Sequence, residues 1–179
     1  MIPLFLGLQI ANHLMLAMVF AAGLWWSQVR GGVAGGTDWH GLHVGLGVAA
    51  GLFCTLAHVG TYMYFMATYK WLWAASEKAG LPPDRFVAPA RRRKSQAFPA
   101  AMGAILMTML AMFAGAGADA TAGSWWPPDV HLAVAALAIA ANLLAAMRQW
   151  QLIRGQQQLM DQALARLNAD PNIVVSTGV

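Results

Sequence analysis

Four stretches of this chain contain no Asp, Glu, Lys or Arg, and each is long enough to cross a bilayer. They run at about Pro3–Trp26, Gly41–Tyr69, Ala97–Ala118 and Val130–Met147. A helix needs about 20 predominantly apolar residues to span the hydrocarbon core, and all four qualify. The expected fold is all-α: an integral membrane four-helix bundle, up-down-up-down, over residues 1–147. A C-terminal amphipathic cytoplasmic helix and tail follow over residues 148–179, where Leu152, Leu159, Ala163 and Leu167 recur at helical spacing. The composition agrees, with 59% apolar and only 10% charged residues. Soluble domains carry about a quarter charged residues. An ordinary cytosolic globule, a disordered tail and a nucleic-acid binder are excluded together. The first run reads as a retained helix, because it lacks a basic n-region and its apolar core is too long for a signal peptide. The single Cys excludes a disulfide framework, and no Cys-x-x-Cys spacing suggests a zinc or iron–sulfur site.

The connectors orient the bundle. Arg30–Asp38 is a Gly-rich turn, Lys70–Gln96 carries Pro82–Pro83 and the run Arg91–Lys94, and Asp119–Asp129 holds Trp125–Trp126 before Pro127–Pro128. Four spans put both termini and Lys70–Gln96 on one side, and that side holds ten of the eleven Lys and Arg residues. The positive-inside rule makes it the cytoplasm, so the chain is expected as a multi-pass protein of the inner (cytoplasmic) membrane. Trp25, Trp26, Trp39, Trp125 and Trp126 then mark the outer interface, and Tyr69, Trp71 and Trp73 the inner one. The Arg91–Lys94 run reads as a topology determinant that meets anionic headgroups.

The membrane core lacks carboxylates, Lys and Arg, so its histidines stand out. An ionisable residue inside a span is by default a functional-site hypothesis. At about 1.5 Å of rise per residue, His13 on helix 1 and His58 on helix 2 each lie roughly 15 Å from the cytoplasmic side. His43 and His131 both lie near the outer ends of helices 2 and 4. Four histidines thus fall at two depths, two per depth, each pair from different helices. Gly45, Gly47, Ala50 and Gly51 lie between His43 and His58, leaving room for a flat group near the backbone. Facing imidazoles across a bundle are what axial ligation of haem iron requires. The expected sites are therefore His43 with His131 and His13 with His58, holding one or two haem b groups.

In architecture, these paired histidines on four spans resemble the four-helix membrane cytochromes b. The resemblance implies electron transfer across the membrane, with quinone as a candidate electron partner and other membrane subunits as neighbours in the lipid bilayer. Two features depart from the familiar pattern: the helix 2 spacing is one or two residues longer, and helix 3 has no histidine. Competing readings are a structural or assembly subunit without a cofactor, and a pigment-binding photosynthetic accessory subunit. In the first, each histidine is a helix–helix hydrogen-bonding group. In the second, one histidine ligates a chlorin magnesium. The scattered methionines read as packing filler and Cys54 as an inert buried thiol.

Overall fold

The computed structural model describes residues 2–29, 39–119 and 123–169. They form four helices: α1 (Ile2–Val29), α2 (Trp39–Ala79), α3 (Pro83–Ala118) and α4 (Pro128–Ala169). Each contains a window long and apolar enough to cross a membrane. The Gly-rich connector read at Arg30–Asp38 and the tail from Asp170 lie outside the described residues.

The helices run antiparallel in chain order. Phe5 of α1 shares a cluster with Phe65 of α2, Ala97 of α3 and Leu152 and Ile153 of α4. Toward the other end, His43 of α2 reaches the Val19 carbonyl of α1. Each helix packs on its sequence neighbours, and α1 closes the square against α4.

Apart from the clusters around Phe65 and Phe86, most of what lies inside is small or polar, and most of what lies outside is large and apolar. Ala50, Cys54, Ala57, Ala97, Ala101, Ala104, Ala114, Ala138 and Ala145 are buried, while Leu14, Leu52, Leu56, Leu106, Leu137 and Leu144 are exposed. A water-soluble core would reverse this order. In lipid, burying a large apolar side chain gains little, so small residues take the interface and let the backbones approach. The buried residues of α4 show the geometry: Ala138, Asn142, Ala145, Gln149, Leu152, Gln156, Leu159 and Ala163 alternate spacings of four and three. That is a heptad seam, the pattern of left-handed helix packing.

Three helices are longer than the apolar runs. With 41, 36 and 42 residues, α2, α3 and α4 outreach α1 at the basic end. At about 1.5 Å per residue, α4 measures roughly 63 Å, about twice the hydrocarbon thickness. The segment Lys70–Gln96, read as a connector, is the end of α2, a short link and the start of α3. The link opens with Gly80 at φ +67, the left-handed conformation suited to a helix C-terminus. Pro83 starts α3, at a position where its missing N–H costs nothing. Leu72, Leu81, Phe86, Ala90, Leu159 and Ala163 form a buried cluster there. Residues 148–169 are thus an unbroken continuation of α4, held in the bundle by its seam; the boundary at residue 147 falls inside a helix.

The Trp-rich end is closed differently. Trp126 donates from Nε1 to the Ala114 carbonyl at 2.9 Å, and the Trp125 amide donates to Gly117 O at 2.7 Å. These bonds cap carbonyls left open where α3 stops. The Trp126 indole lies on Gly117, where any Cβ would collide with it.

Candidate functional site

The four sequence-selected histidines fall into three different environments. At the Trp-rich end, His43 on α2 and His131 on α4 face each other with ring centroids 6.1 Å apart and planes inclined by 66°. Each ring occupies a gap left by a glycine on a neighbouring helix. A Cβ on Gly23 of α1 would stand 2.8 Å from His43 Cε1, and one on Gly115 of α3 would stand 3.1 Å from His131 Cε1. The first contact is closer than real side chains come and the second is tight enough that the ring would have to shift by a few tenths of an ångström, so the two glycines are seats for the two imidazoles.

The seats fix which nitrogens are free. His43 Nδ1 lies 3.2 Å from the Val19 carbonyl, which can only accept, so Nδ1 carries the hydrogen and Nε2 keeps a lone pair. His131 has the Ala111 carbonyl as its backbone neighbour, and its Nδ1 is buried with no hydrogen-bond partner. Both rings line a cleft of about 490 Å³ whose walls include Leu16, Phe20, Val44, Leu132 and Ile139. Cofactor pockets commonly span about 300–1,000 Å³, are largely apolar, and carry a few convergent polar groups. At the mouth, His40 Nε2 lies 3.3 Å from Asp119 Oδ2, and the His40 ring leans on Trp26.

His58 is in another world. It is fully buried, with Nε2 3.0 Å from Asn142 Oδ1 and Nδ1 3.2 Å from the Gln149 side-chain amide. Asn142 is the hub of this cluster. Its Nδ2 donates to Thr108 Oγ1 and to the Ala138 carbonyl, each at 2.9 Å, so its oxygen is the acceptor facing inward. That oxygen receives Asn12 Nδ2 at 3.1 Å and Cys54 Sγ at 3.3 Å as well as His58 Nε2–H. Gln9 Nε2 donates to Gln149 at 3.3 Å. The cluster ties all four helices together at mid-bundle; with Nε2–H donating to Asn142, His58 Nδ1 is a lone pair beside Gln149 Oε1, and Gln149 Nε2, Gln9 Oε1 and Asn12 Oδ1 are buried without partners.

His13 has a hydrogen-bond partner of its own, although it lies within electrostatic reach of His58. Its Nδ1 donates to the Gln9 carbonyl of its own helix at 2.7 Å, and it lines a groove between α1 and α4. No hydrogen bond or ring–ring contact joins His13 to His58 in the structure. The arrangement therefore brings His43 and His131 together and leaves His13 and His58 with separate partners.

Sequence reasoning named Gln9, Asn12, Cys54, Thr108 and Asn142 as polar side chains around the histidines but missed their assembly with Gln149 into one hub, the glycine seats and the His40–Asp119 pair. The hub had a signal: Asn142, Gln149 and Gln156 are spaced by seven, one face of α4. Among the described residues no group of three or more His, Cys, Asp or Glu side chains converges as a metal site. No family model matches the chain, and comparison with curated proteins and with solved structures finds no relative.

Proposed function

We propose that this chain is a haem-binding membrane electron-transfer protein of the b type, a subunit of a larger energy-transducing membrane complex, with its cofactor held between His43 and His131. The observation that carries this reading is the spacing of that pair. Two imidazoles bound to opposite sides of one metal at about 2.0–2.1 Å per nitrogen would have ring centroids roughly 6.3 Å apart. The rings stand at 6.1 Å, and such ligation leaves the angle between their planes free. Two ligands alone do not make a structural zinc site, which takes four. They do suit a metal whose other four positions belong to a flat macrocycle. Small residues on the cleft wall, Gly47, Ala50, Ala135 and Ala138 among them, leave space for one.

His43 and His131 would hold the haem, which would supply reversible one-electron transfer. The protein's part is to hold the two imidazoles at fixed separation, exclude water with apolar walls and fix the ring tautomers. The backbone carbonyl on His43 Nδ1–H does that last task, as second-sphere partners of metal-bound histidines do. A chlorin magnesium usually takes one axial ligand, so a facing pair favours iron over a pigment.

In the same proposal the basic end, with both termini, is cytoplasmic, and the cleft lies near the opposite face. The second reading, a cofactor-free structural subunit, is favoured by the mid-bundle cluster, which holds the four helices together with protein groups alone. Purified protein supplied with haem during expression separates the two readings: the pyridine haemochrome assay should find one haem b per chain. A preparation that folds and stays colourless would leave the structural reading.

A further inference from the structure

At the basic end, the seam between α3 and α4 collects guanidinium groups that no carboxylate neutralises. Arg93 of α3 lies against Gly155 of α4, where a Cβ would stand 3.0 Å from Arg93 Nε and 3.3 Å from Nη2. The missing side chain lets the guanidinium rest on the α4 backbone. One turn along α3, Gln96 accepts from Arg148 Nη2 at 3.1 Å, while Nη1 of the same side chain donates to Gln151 at 3.3 Å. Arg93 and Gln96 are three residues apart, about 4.5 Å of rise, so both guanidinium groups are held within one turn of each other. Among the described residues neither arginine forms an ion pair, and the acceptors on Arg148 are neutral amides. Asp161, the carboxylate of this stretch of α4, is engaged by Gln157 and lies six residues past Gly155, about 120° around the helix. Arg93 Nη1 is turned inward without a partner, yet the residue keeps part of its surface, and Arg148 and Gln151 are exposed. Their charge can be met from outside the bundle.

The pair stands at the edge of the hydrocarbon. The charge-free run of α3 begins at Ala97, four residues after Arg93, and that of α4 ends at Met147, one before Arg148. Positions one turn outside an apolar run are at the level of lipid phosphates. Toward the membrane the same face turns to hydrocarbon. Leu144 and Leu137, four and eleven residues before Arg148, are 65% and 59% exposed, and Gly103, seven residues after Gln96, leaves open space beside α3. We infer that this seam binds one anionic glycerophospholipid, its phosphate held by Arg93 and Arg148 and an acyl chain lying along Leu144 and Gly103. Guanidinium suits a phosphate because its N–H groups meet two oxygens at once. The site is narrower than a general attraction of the Arg91–Lys94 run for headgroups. Lys94 is turned toward α2, with Nζ 4.3 Å from the Tyr69 ring centre, and Arg91 is two residues from Arg93, about 160° around α3. The seam shares no residue with the His43–His131 cleft, so it stands whether or not that cleft holds a cofactor.

The test uses the full chain, delipidated in a mild detergent and titrated with dioleoyl phosphatidylglycerol, with binding read by native mass spectrometry. One lipid per chain should bind saturably, and more tightly than dioleoyl phosphatidylcholine, whose phosphate carries no net charge with it. Losing one charge-assisted contact should weaken binding by about tenfold in Arg93→Gln and in Arg148→Gln. Gly155→Val keeps every charge but pushes Arg93 from its place, and should weaken binding as well. Arg91→Gln removes the same charge from the other side of α3 and should bind as wild type does. Melting temperatures of the lipid-free variants within a few degrees of wild type separate lost binding from lost fold, and the exposed Arg148 carries the test if Arg93→Gln does not fold. A loss in Arg91→Gln as large as in Arg148→Gln would mean a diffuse basic girdle and overturn the site, as would equal affinity for phosphatidylcholine. Displacement of the lipid by an equal concentration of inorganic phosphate would overturn its assignment to a lipid.

Discussion

His58 and the His43–His131 pair are histidines of one helix bundle with opposite economies. Around His58 four helices supply Asn12, Cys54, Thr108, Asn142 and Gln149, and each ring nitrogen has an amide oxygen at 3.0 or 3.2 Å. Around His43 and His131 the neighbours are glycines, hydrocarbon and the Val19 carbonyl, His131 Nδ1 is left without a partner, and a cleft with His40, Asp119 and Asp129 in its wall opens beside them. A buried polar group without a partner costs on the order of 1–3 kcal/mol. One that is ringed by polar groups of all four helices is part of the scaffold, and one that is left beside a cavity is a place for something else. Burial depth alone would rank His58 as the best ligand; the amide oxygens packed against both of its ring nitrogens leave no room there for a metal.

The largest effect that could break this comparison is at the hub. Asn142→Leu should remove the acceptor of Asn12, Cys54 and His58 and the donor to Thr108, destabilising the bundle by about 2–4 kcal/mol. Equilibrium unfolding in mixed micelles measures it, and a loss under about 0.5 kcal/mol would mean that the cluster is not a scaffold. His58→Gln keeps one donor and one acceptor in the same place, so its cost should be about 1 kcal/mol and cofactor content should not change. Gly115→Val and Gly23→Val act in the other direction. They push an imidazole from its seat, and should empty the cleft while changing fold stability by only about 1 kcal/mol, since valine is the better helix residue. If either variant kept its full cofactor complement, the seats would have no bearing on the site. The smallest perturbation concerns sidedness. A thiol reagent confined to the outside should label Ser124→Cys and spare Ser95→Cys, the reverse pattern contradicting the cytoplasmic placement of the basic end.

Much of the fold was legible because bilayer physics writes in long runs. Charge-free stretches of about 20 residues mark spans whatever the helices later do with their faces. The extensions of α2, α3 and α4 were harder to see, since Lys70, Glu77, Arg91 and Arg154 interrupt hydropathy there. Those charges are exposed, whereas Leu72, Phe86, Ala90 and Leu159 continue the inner seam beneath them. Depth along an axis was also legible, which is how His43 and His131 were matched. Azimuth was the weaker coordinate. Phe5, Gln9, Asn12 and Leu16 are the buried positions of α1, spaced by four and three. His13 is one residue past Asn12, about 100° around the helix, and so faces the α1–α4 groove rather than His58. The glycine seats had no sequence signature, because a glycine in a membrane helix is as often a packing residue as a socket.

The central claim is that the cofactor belongs to the pair beside the cleft and not to the buried hub. The most direct measurement is the dithionite-reduced minus air-oxidised absorption spectrum of wild type, His43→Ala, His131→Ala and His58→Gln, purified in parallel. The account predicts a b-type α-band in wild type and in His58→Gln, and its loss in both outer variants. A band that survives His131→Ala but disappears in His58→Gln would contradict it, and so would a wild-type protein that never acquires the band.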